Sequence, residues 1–135
     1  MAGCDNLAIC VPAGPDAAAK ALAATRQFLL LAGCKDETGA HLAIIVEEII
    51  CNIVDHGRPP TDDPIELTFA RTARGLRLGV IDGGAFFDPR SADMAGELPP
   101  ERGGGAGIAL IRAWAEILSY ERRGARNHLL IELPE

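Results

Sequence analysis

Apolar and polar residues alternate at the start of the chain and then change to a helical spacing. Within residues 7–11 every second position is a larger aliphatic residue, which predicts a short opening strand. Strong helix formers fill the segment from Asp16 to Ala32, and Gly33 stands where a C-terminal cap belongs. A strand followed by a helix is therefore expected in the first quarter of the chain.

A second helix is predicted to begin at Asp36 or Thr38, to run through the apolar stretch from Leu42 to Val54, and to stop at Gly57. Apolar residues cover nearly the whole circumference of this helix, so we expect it to be largely buried.

After Gly57 apolar residues again recur at every second position. Residues 65–69 and 76–80 alternate on either side of a turn at Arg74–Gly75, which predicts an antiparallel hairpin. The segment from Gly83 to Gly105 has no apolar period and is predicted to be a long loop. A third helix is expected from about Ala106 to Ala115. Two closing strands are then expected around residues 118–122 and 129–133.

This order of elements predicts an α/β sandwich of the α+β type. Hairpin-linked strands and segregated helices favour a mainly antiparallel mixed sheet of about five strands, with the helices on one face. The length of 135 residues suits one domain, 1–135.

Composition narrows the class of protein. The formal net charge of −6 argues against a general nucleic-acid binder, although Arg122, Arg123 and Arg126 could form a local basic patch. The four cysteines have no zinc or thioredoxin spacing, so we interpret them as reduced thiols, two or more of them in the core. No leader and no membrane-spanning run is apparent, which predicts a soluble cytoplasmic protein.

Three polar side chains interrupt the apolar second helix. Glu48, Asn52 and His56 are each four residues apart, which stacks them on one helical face. Taken alone, this stripe also fits an ordinary solvated helix surface, widened by Glu47 and Asp55.

A second polar feature ends the hairpin. Asp82 is in phase with the inward positions of its strand and should point inward, where a carboxylate needs a hydrogen-bond donor. Gly83 and Gly84 allow the backbone to approach a ligand closely, although an Asp-Gly pair is also a common turn.

The third feature is a glycine run, 103–107, that enters the third helix directly. Amide groups at a helix N-terminus, approached through glycines, suit phosphate oxygens. The run matches neither a dinucleotide fingerprint nor a Gly-Lys-Ser/Thr phosphate loop.

Together these three segments resemble the boxes of the GHKL family of ATP-binding domains, and within it the anti-sigma-factor serine/threonine kinases. Glu48-x-x-x-Asn52-x-x-x-His56 is similar to the N box of that subgroup. The G1 box is matched by 82–89 (Asp-x-Gly-x-x-Phe-Asp-Pro), and the G2 box by 105–111 (Gly-x-Gly-Ile-x-Leu-Ile). The segment Gly124–Asn127 before the last strand is also similar, and the resemblance covers essentially the whole chain.

The resemblance implies a Bergerat-type ATP-binding fold with ATP and Mg²⁺ as cofactors. It makes Glu48 the general base and Asn52 the Mg²⁺ ligand, with His56 near the ribose or the lid. Asp82 would accept a hydrogen bond from the adenine amino group, and Gly84 would allow its close approach. The remaining nucleotide-binding positions implied by the two glycine boxes are Phe87, Gly104, Gly105, Ala106, Gly107 and Ile108.

The sequence also departs from the family pattern. The lid, which is the loop between the G1 and G2 boxes, contains Pro99-Pro100, and its arginines are Arg90 and Arg102. Glu116 stands where the family often has Asp. Since lid chemistry controls phosphoryl transfer, the lid departures bear on kinase activity and leave the expectation of ATP binding unchanged.

Three functional hypotheses remain at this point. The leading one is an ATP-dependent kinase that phosphorylates an anti-anti-sigma (STAS-domain) partner and sequesters a sigma factor, with a homodimer commonly formed in the family. The second is a nucleotide-gated binding module of the same fold without kinase activity. The third is a structural α/β domain with chance glycines.

Overall fold

A computed structural model of the chain describes residues 6–60, 62–85 and 104–135, with only the backbone for 104–108. Its elements in chain order are β1 Asn6–Val11, α1 Ala17–Ala32, α2 Asp36–Asn52, a π-helical turn Ile53–Gly57, β2 Ile65–Arg71, β3 Gly75–Asp82, α3 Gly104–Trp114, β4 Glu116–Arg123 and β5 Arg126–Pro134. The predicted order of strands and helices is confirmed.

The described strands form one five-stranded sheet in the order β1-β2-β3-β5-β4. All four pairings are antiparallel. The sheet is thus antiparallel throughout the described strands, rather than mixed. β5 lies between β3 and β4, and this position brings the ends of three strands together where Asp82 closes β3.

One face of the sheet carries the core. Directly opposed inward positions such as Leu67 and Val80, or Leu78 and Ile131, are almost fully buried. Helices α1 and α2 cover this face, and Phe28 of α1 stacks on Phe69 of β2 with ring centroids 5.4 Å apart. The predicted α+β architecture with its helices on one face is therefore confirmed.

The helices begin and end for local reasons. α1 ends at Gly33, whose φ of 67° is the left-handed cap geometry that glycine adopts without strain. α2 carries Asp36 and Glu37 in its first turn, where acidic side chains complement the helix dipole. In the described part of the chain no helix is long and apolar enough to cross a membrane.

The second helix is less buried than expected. Ile44 is 39% exposed, and Cys51, Ile53 and Val54 are only partly covered. The expectation of a largely buried cylinder is wrong, because α1, the sheet and α3 leave part of the circumference of α2 open. Its buried face consists of Thr38, Gly39, Leu42, Ile45, Val46, Ile49 and Ile50.

The cysteines are also more accessible than expected. Cys10, Cys34 and Cys51 are free thiols, the first exposed and the other two partly buried. The expectation that two or more of the four lie in the core is therefore wrong. Burial is the largest factor that raises the pKa of the Cys34 and Cys51 thiols, so both favour the protonated form.

The outer face of the sheet holds one buried carboxylate. Glu132 is 1% exposed, and its oxygens lie 3.3 Å from Arg74 Nη1 and 3.0 Å from Arg77 Nη2. Thr72 Oγ1 adds a hydrogen bond of 3.2 Å. Two cations and a hydroxyl thus compensate a charge that would be costly to bury alone.

Helices α2 and α3 meet through a ring stack. The His41 and Trp114 rings lie 3.8 Å apart at their centroids and are inclined by only 3°. Trp114 is the last residue of α3, so the stack fixes the end of α3 remote from its glycines.

Gly75 is required where the β2–β3 hairpin meets the C-terminal strand. Its φ is 155°, and a Cβ there would collide with the carbonyl oxygen of Leu133. We expect Gly75→Ala to lower the free energy of unfolding by about 2–4 kcal/mol, from steric overlap and backbone strain combined. Urea unfolding measures this change.

Gly14→Ala is the matched control, because a Cβ at Gly14 meets no atom within 4 Å. It should change the free energy of unfolding by no more than about 0.5 kcal/mol. Equal losses in the two variants would contradict the steric explanation.

Candidate functional site

Helix α2 places Glu48 and Asn52 one turn apart. Both side chains are partly exposed, while Ile45 and Ile49 on neighbouring positions are buried in the core. The two polar groups therefore lie at the margin between the core and the surface. A carboxylate and an amide in this position remain accessible to a ligand.

His56 lies in a different local structure. The α-helical spacing ends at Asn52, and Ile53–Gly57 form a π-helical turn that closes with Arg58 N–H donating to Ile53 O at 2.9 Å. Arg58 then adopts a φ of 48°. Only Glu48 and Asn52 therefore lie in the α-helix itself, and His56 follows in the π-helical turn.

Asp82 closes β3 with its side chain facing inward, as its phase predicts. The residue is 6% exposed. Gly84 N–H donates to its Oδ1 at 2.8 Å, and Asn127 Nδ2 donates to the same oxygen at 3.1 Å. Both of these hydrogen bonds are therefore accepted by the same carboxylate oxygen, Oδ1.

Burial raises the pKa of Asp82 above its ordinary value of 3.8. The hydrogen bonds from Gly84 and Asn127 and the charges of Arg126 and Arg122 lower it, but desolvation is the larger effect. The fold thus holds this carboxylate in a buried position that disfavours its charged form, which is characteristic of groups that bind a ligand.

The turn after Asp82 touches the end of the π-helical turn. Ala85 N–H donates to Gly57 O at 2.9 Å. A Cβ on Gly84 would lie 2.9 Å from Gly57 O and 3.0 Å from Asp82 Oδ1. Gly84 therefore has to be a glycine for its turn to approach Gly57 this closely. The contact joins the segment that follows the helix of Glu48 and Asn52 to the turn after Asp82.

Two residues that the sequence interpretation did not assign to the site, Asn127 and Arg122, bind this turn. Asn127 is 1% exposed, and its Nδ2 donates to Gly84 O at 3.0 Å. Arg122 Nη1 donates to the same carbonyl oxygen at 3.1 Å and to Asn127 Oδ1 at 2.8 Å. A signal was present, since Asn127 is in phase with the inward residues of β5, by the same reasoning that identified Asp82.

The three arginines near the last hairpin do not act as one basic patch. Arg122 binds the turn described above, and Arg123 pairs with Glu121 at 3.1 Å. Arg126 lies 2.7 Å from Glu66 and 3.2 Å from Asp63. Neighbouring carboxylates therefore offset two of the three charges.

The glycine run begins α3 earlier than predicted. The helix starts at Gly104 rather than at Ala106, so Gly104, Gly105, Ala106 and Gly107 provide its first N–H groups. The first four N–H groups of a helix have no partner within it. Helix α3 packs against α2. Phe87 and the lid lie outside the described residues, as do the side chains of 104–108.

The contact between Gly84 and Gly57 can be tested by stability. Gly84→Ala forces its Cβ against a backbone carbonyl, which must move the turn or the end of α2. We expect it to lower the free energy of unfolding by about 1–3 kcal/mol in urea titrations.

Gly57→Ala provides the control from the other side of the same contact. A Cβ there comes no closer than 3.7 Å to Ala85 N and Gly84 Cα, which is ordinary van der Waals contact. Only Gly84 lacks room for a Cβ, so an equal loss of stability in Gly57→Ala and Gly84→Ala would contradict this explanation.

Comparison with known proteins identifies the family and the fold. Residues 11–133 match the model of the histidine kinase-like ATPase domain. The serine/threonine-protein kinase BtrW of Bordetella bronchiseptica is 36% identical over 94 residues. That alignment covers 67% of this chain and 66% of BtrW, so the chain spans slightly less than two thirds of its curated relative.

Two solved structures share the fold. The structure of the RsbU and RsbW domains of Rv1364c from Mycobacterium tuberculosis superposes with a TM-score of 0.66 at 20% identity, covering 96% of this chain and 32% of that one. The histidine kinase domain of a blue-light activated kinase from Erythrobacter litoralis gives 0.51 at 20% identity, covering 73% and 45%. These likenesses confirm the Bergerat-type fold, and the family match over residues 11–133 shows that the chain belongs to the histidine kinase-like ATPase domain family.

Proposed function

We propose that this chain is an ATP-dependent serine/threonine protein kinase of the anti-sigma-factor type. In this proposal it acts in the cytoplasm, phosphorylates an anti-anti-sigma (STAS-domain) protein and sequesters a sigma factor. Family membership supports nucleotide binding, and the likeness to a relative named as a serine/threonine kinase supports the type of reaction.

The observation that carries the proposal is the position of Glu48 relative to Asn52. The two side chains are one α-helical turn apart and partly exposed, on a helix whose end is hydrogen-bonded to the turn after Asp82. A carboxylate that can act as a base, one turn from an amide oxygen that can bind a metal ion, suits phosphoryl transfer to a hydroxyl.

Different residues support the proposed binding of adenine and of the phosphates. Asp82 is buried with one oxygen held by Gly84 and Asn127, which suits acceptance of a hydrogen bond from an adenine amino group by the other. The N-terminal amides of α3, from Gly104 to Gly107, suit the phosphates, with Ile108 next along the helix. His56 is exposed at the end of the π-helical turn and is assigned to the ribose or lid side.

The donor set fits Mg²⁺ delivered with the nucleotide. The described residues contain no cluster of three or more His, Cys, Asp or Glu side chains that could hold a metal. Mg²⁺ in phosphoryl-transfer sites commonly takes one or two protein oxygens and completes its shell with phosphates and water. Asn52 would supply such an oxygen, and the bound ion would neutralise charge on the phosphates.

The chain's own residues then have distinct tasks in the transfer. The partner's Ser or Thr oxygen attacks the γ-phosphorus, the bond to the β–γ bridging oxygen breaks, and ADP leaves with that electron pair. Glu48 orients the hydroxyl and accepts its proton. The amides of α3 stabilise the negative charge of the phosphates during transfer.

Phosphoryl transfer tests the role of Glu48. The protein is incubated with γ-labelled ATP, Mg²⁺ and the anti-anti-sigma proteins of the same genome, and label on a partner Ser or Thr is measured. We expect Glu48→Gln to reduce transfer by about 10²–10⁴-fold while ADP affinity stays near that of the unmodified protein, because the substitution removes the base without changing size.

Glu47→Gln is the matched control, since Glu47 is the exposed neighbour on the same helix. It should transfer phosphate at the unmodified rate. Thermal stabilisation by ATP without label on any partner would instead favour the nucleotide-gated binding module. No stabilisation by ADP or ATP with Mg²⁺ would count against both functions, because a bound ligand raises apparent stability.

The raised pKa of Asp82 predicts opposite pH effects on stability and binding. Between 3.8 and its folded pKa the folded state holds more protons than the unfolded state, so the Asp82 contribution to the free energy of unfolding falls as pH rises. Adenine binding needs the ionised form and is therefore lost as pH falls through the same window. Asp82→Asn should match or exceed the unmodified protein in thermal stability at pH 7 yet bind ADP at least about tenfold more weakly.

Calorimetric ADP titrations and thermal unfolding from pH 4 to pH 8 measure both effects. Asp62→Asn serves as the control, because Asp62 is exposed and should leave both profiles unchanged. A loss of stability in Asp82→Asn at pH 7 would show that burial of this charge is not the dominant effect.

A further inference from the structure

Asp82, Asn127 and Arg122 form a row across three strands. Asp82 of β3 is directly opposite Asn127 of β5, and Asn127 is directly opposite Arg122 of β4. All three lie at the same end of the sheet, where β3 gives way to the turn at Gly84. A carboxylate, an amide and a guanidinium in register can form a continuous hydrogen-bonded chain.

Asn127 uses both ends of its amide. Its Nδ2 donates to Asp82 Oδ1 at 3.1 Å, to Gly84 O at 3.0 Å and to Ala85 O at 3.4 Å. Its Oδ1 accepts from Arg122 Nη1 at 2.8 Å. This fully buried side chain therefore has partners for its donor and its acceptor, which offsets the cost of burying it.

Arg122 determines which way the amide points. A guanidinium only donates, so the Asn127 atom facing it must be the oxygen. A flipped amide would set two donors against each other at Arg122 and two acceptors against each other at Asp82. The same Arg122 nitrogen also holds the carbonyl oxygen of Gly84 at 3.1 Å.

The charges around Asp82 come from several elements. Arg122 on β4 and Arg126 on β5 lower its pKa, and so does the hydrogen bond from Asn127. Asp63 lies against Gly83, one residue along, but is paired with Arg126 at 3.2 Å. Asn127 and Arg122 are thus the two groups that both contact the turn and favour the ionised carboxylate.

We propose that Asn127 and Arg122 are positioning residues that hold Asp82 Oδ1 and the Gly84–Ala85 turn, so that Oδ2 is presented to the exocyclic amino group of adenine. This inference rests on the proposed nucleotide-binding function and adds residues that determine base specificity. Arg122 acts through Asn127 and through the Gly84 carbonyl, and Asn127 acts through Asp82.

The test compares adenosine diphosphate with inosine diphosphate, which lacks the amino group. Asn127→Asp keeps the size of the side chain and its contact with Arg122 but replaces the donor to Asp82 by an acceptor. We expect its ADP affinity at pH 7 to fall about 10- to 100-fold while its affinity for inosine diphosphate does not fall. The pH at which ADP binding is half lost should move upward.

Arg122→Gln is the second variant, and its ratio of ADP to inosine diphosphate affinity should fall about 3- to 10-fold. Arg123→Gln is the control, because Arg123 is exposed and pairs with Glu121 instead. Its affinity ratio should equal that of the unmodified protein. Thermal unfolding of each variant without nucleotide establishes that it is folded, and Arg122→Gln decides alone if Asn127→Asp does not fold.

Two results would overturn the inference. One is a folded variant that keeps the unmodified affinity ratio, and the other is an equal loss of both nucleotides, which indicates a purely structural role. An unmodified protein that binds neither nucleotide overturns the proposed function itself, and one that binds both equally overturns the adenine contact of Asp82. Both outcomes are distinguishable because they appear before any substitution is made.

Discussion

One backbone hydrogen bond, from Ala85 N–H to Gly57 O, holds the two walls of the site together. On one side is the end of the helix that carries Glu48 and Asn52, and on the other is the turn that follows Asp82. The bond forms only because Gly84 has no side chain to separate the two segments. The spacing between the segment that continues α2 and the turn after Asp82 is thus set by main-chain atoms, which tolerate little change.

Much of the fold could be predicted from the sequence, because strands and helices each leave a period in the apolar residues. The period also located Asp82, a polar residue at an inward position. It could not reveal the π-helical turn at Ile53–Gly57, since nothing in residues 53–57 distinguishes a wider turn from an α-helical one. The burial of α2 was overestimated because apolar residues on a helix do not show which side a neighbour covers.

The network of Arg122 and Asn127 escaped sequence interpretation for a different reason. Strand β3 is distant along the chain from the hairpin of β4 and β5, and the order β3-β5-β4 brings them together. Once that order is known, the register alone aligns Asp82, Asn127 and Arg122. The three neighbouring arginines were misleading in the sequence for the same reason, because Arg122 donates to the oxygens of Gly84 and Asn127 while Arg123 and Arg126 pair with carboxylates.

The stack of Trp114 on His41 has an optical consequence. Trp114 is the single tryptophan of the chain, so the intrinsic indole emission of the whole protein originates at this contact. An imidazole ring in stacking contact quenches the emission of an indole ring. The emission therefore reports on the contact between α2 and α3, and separation of the two rings would change it.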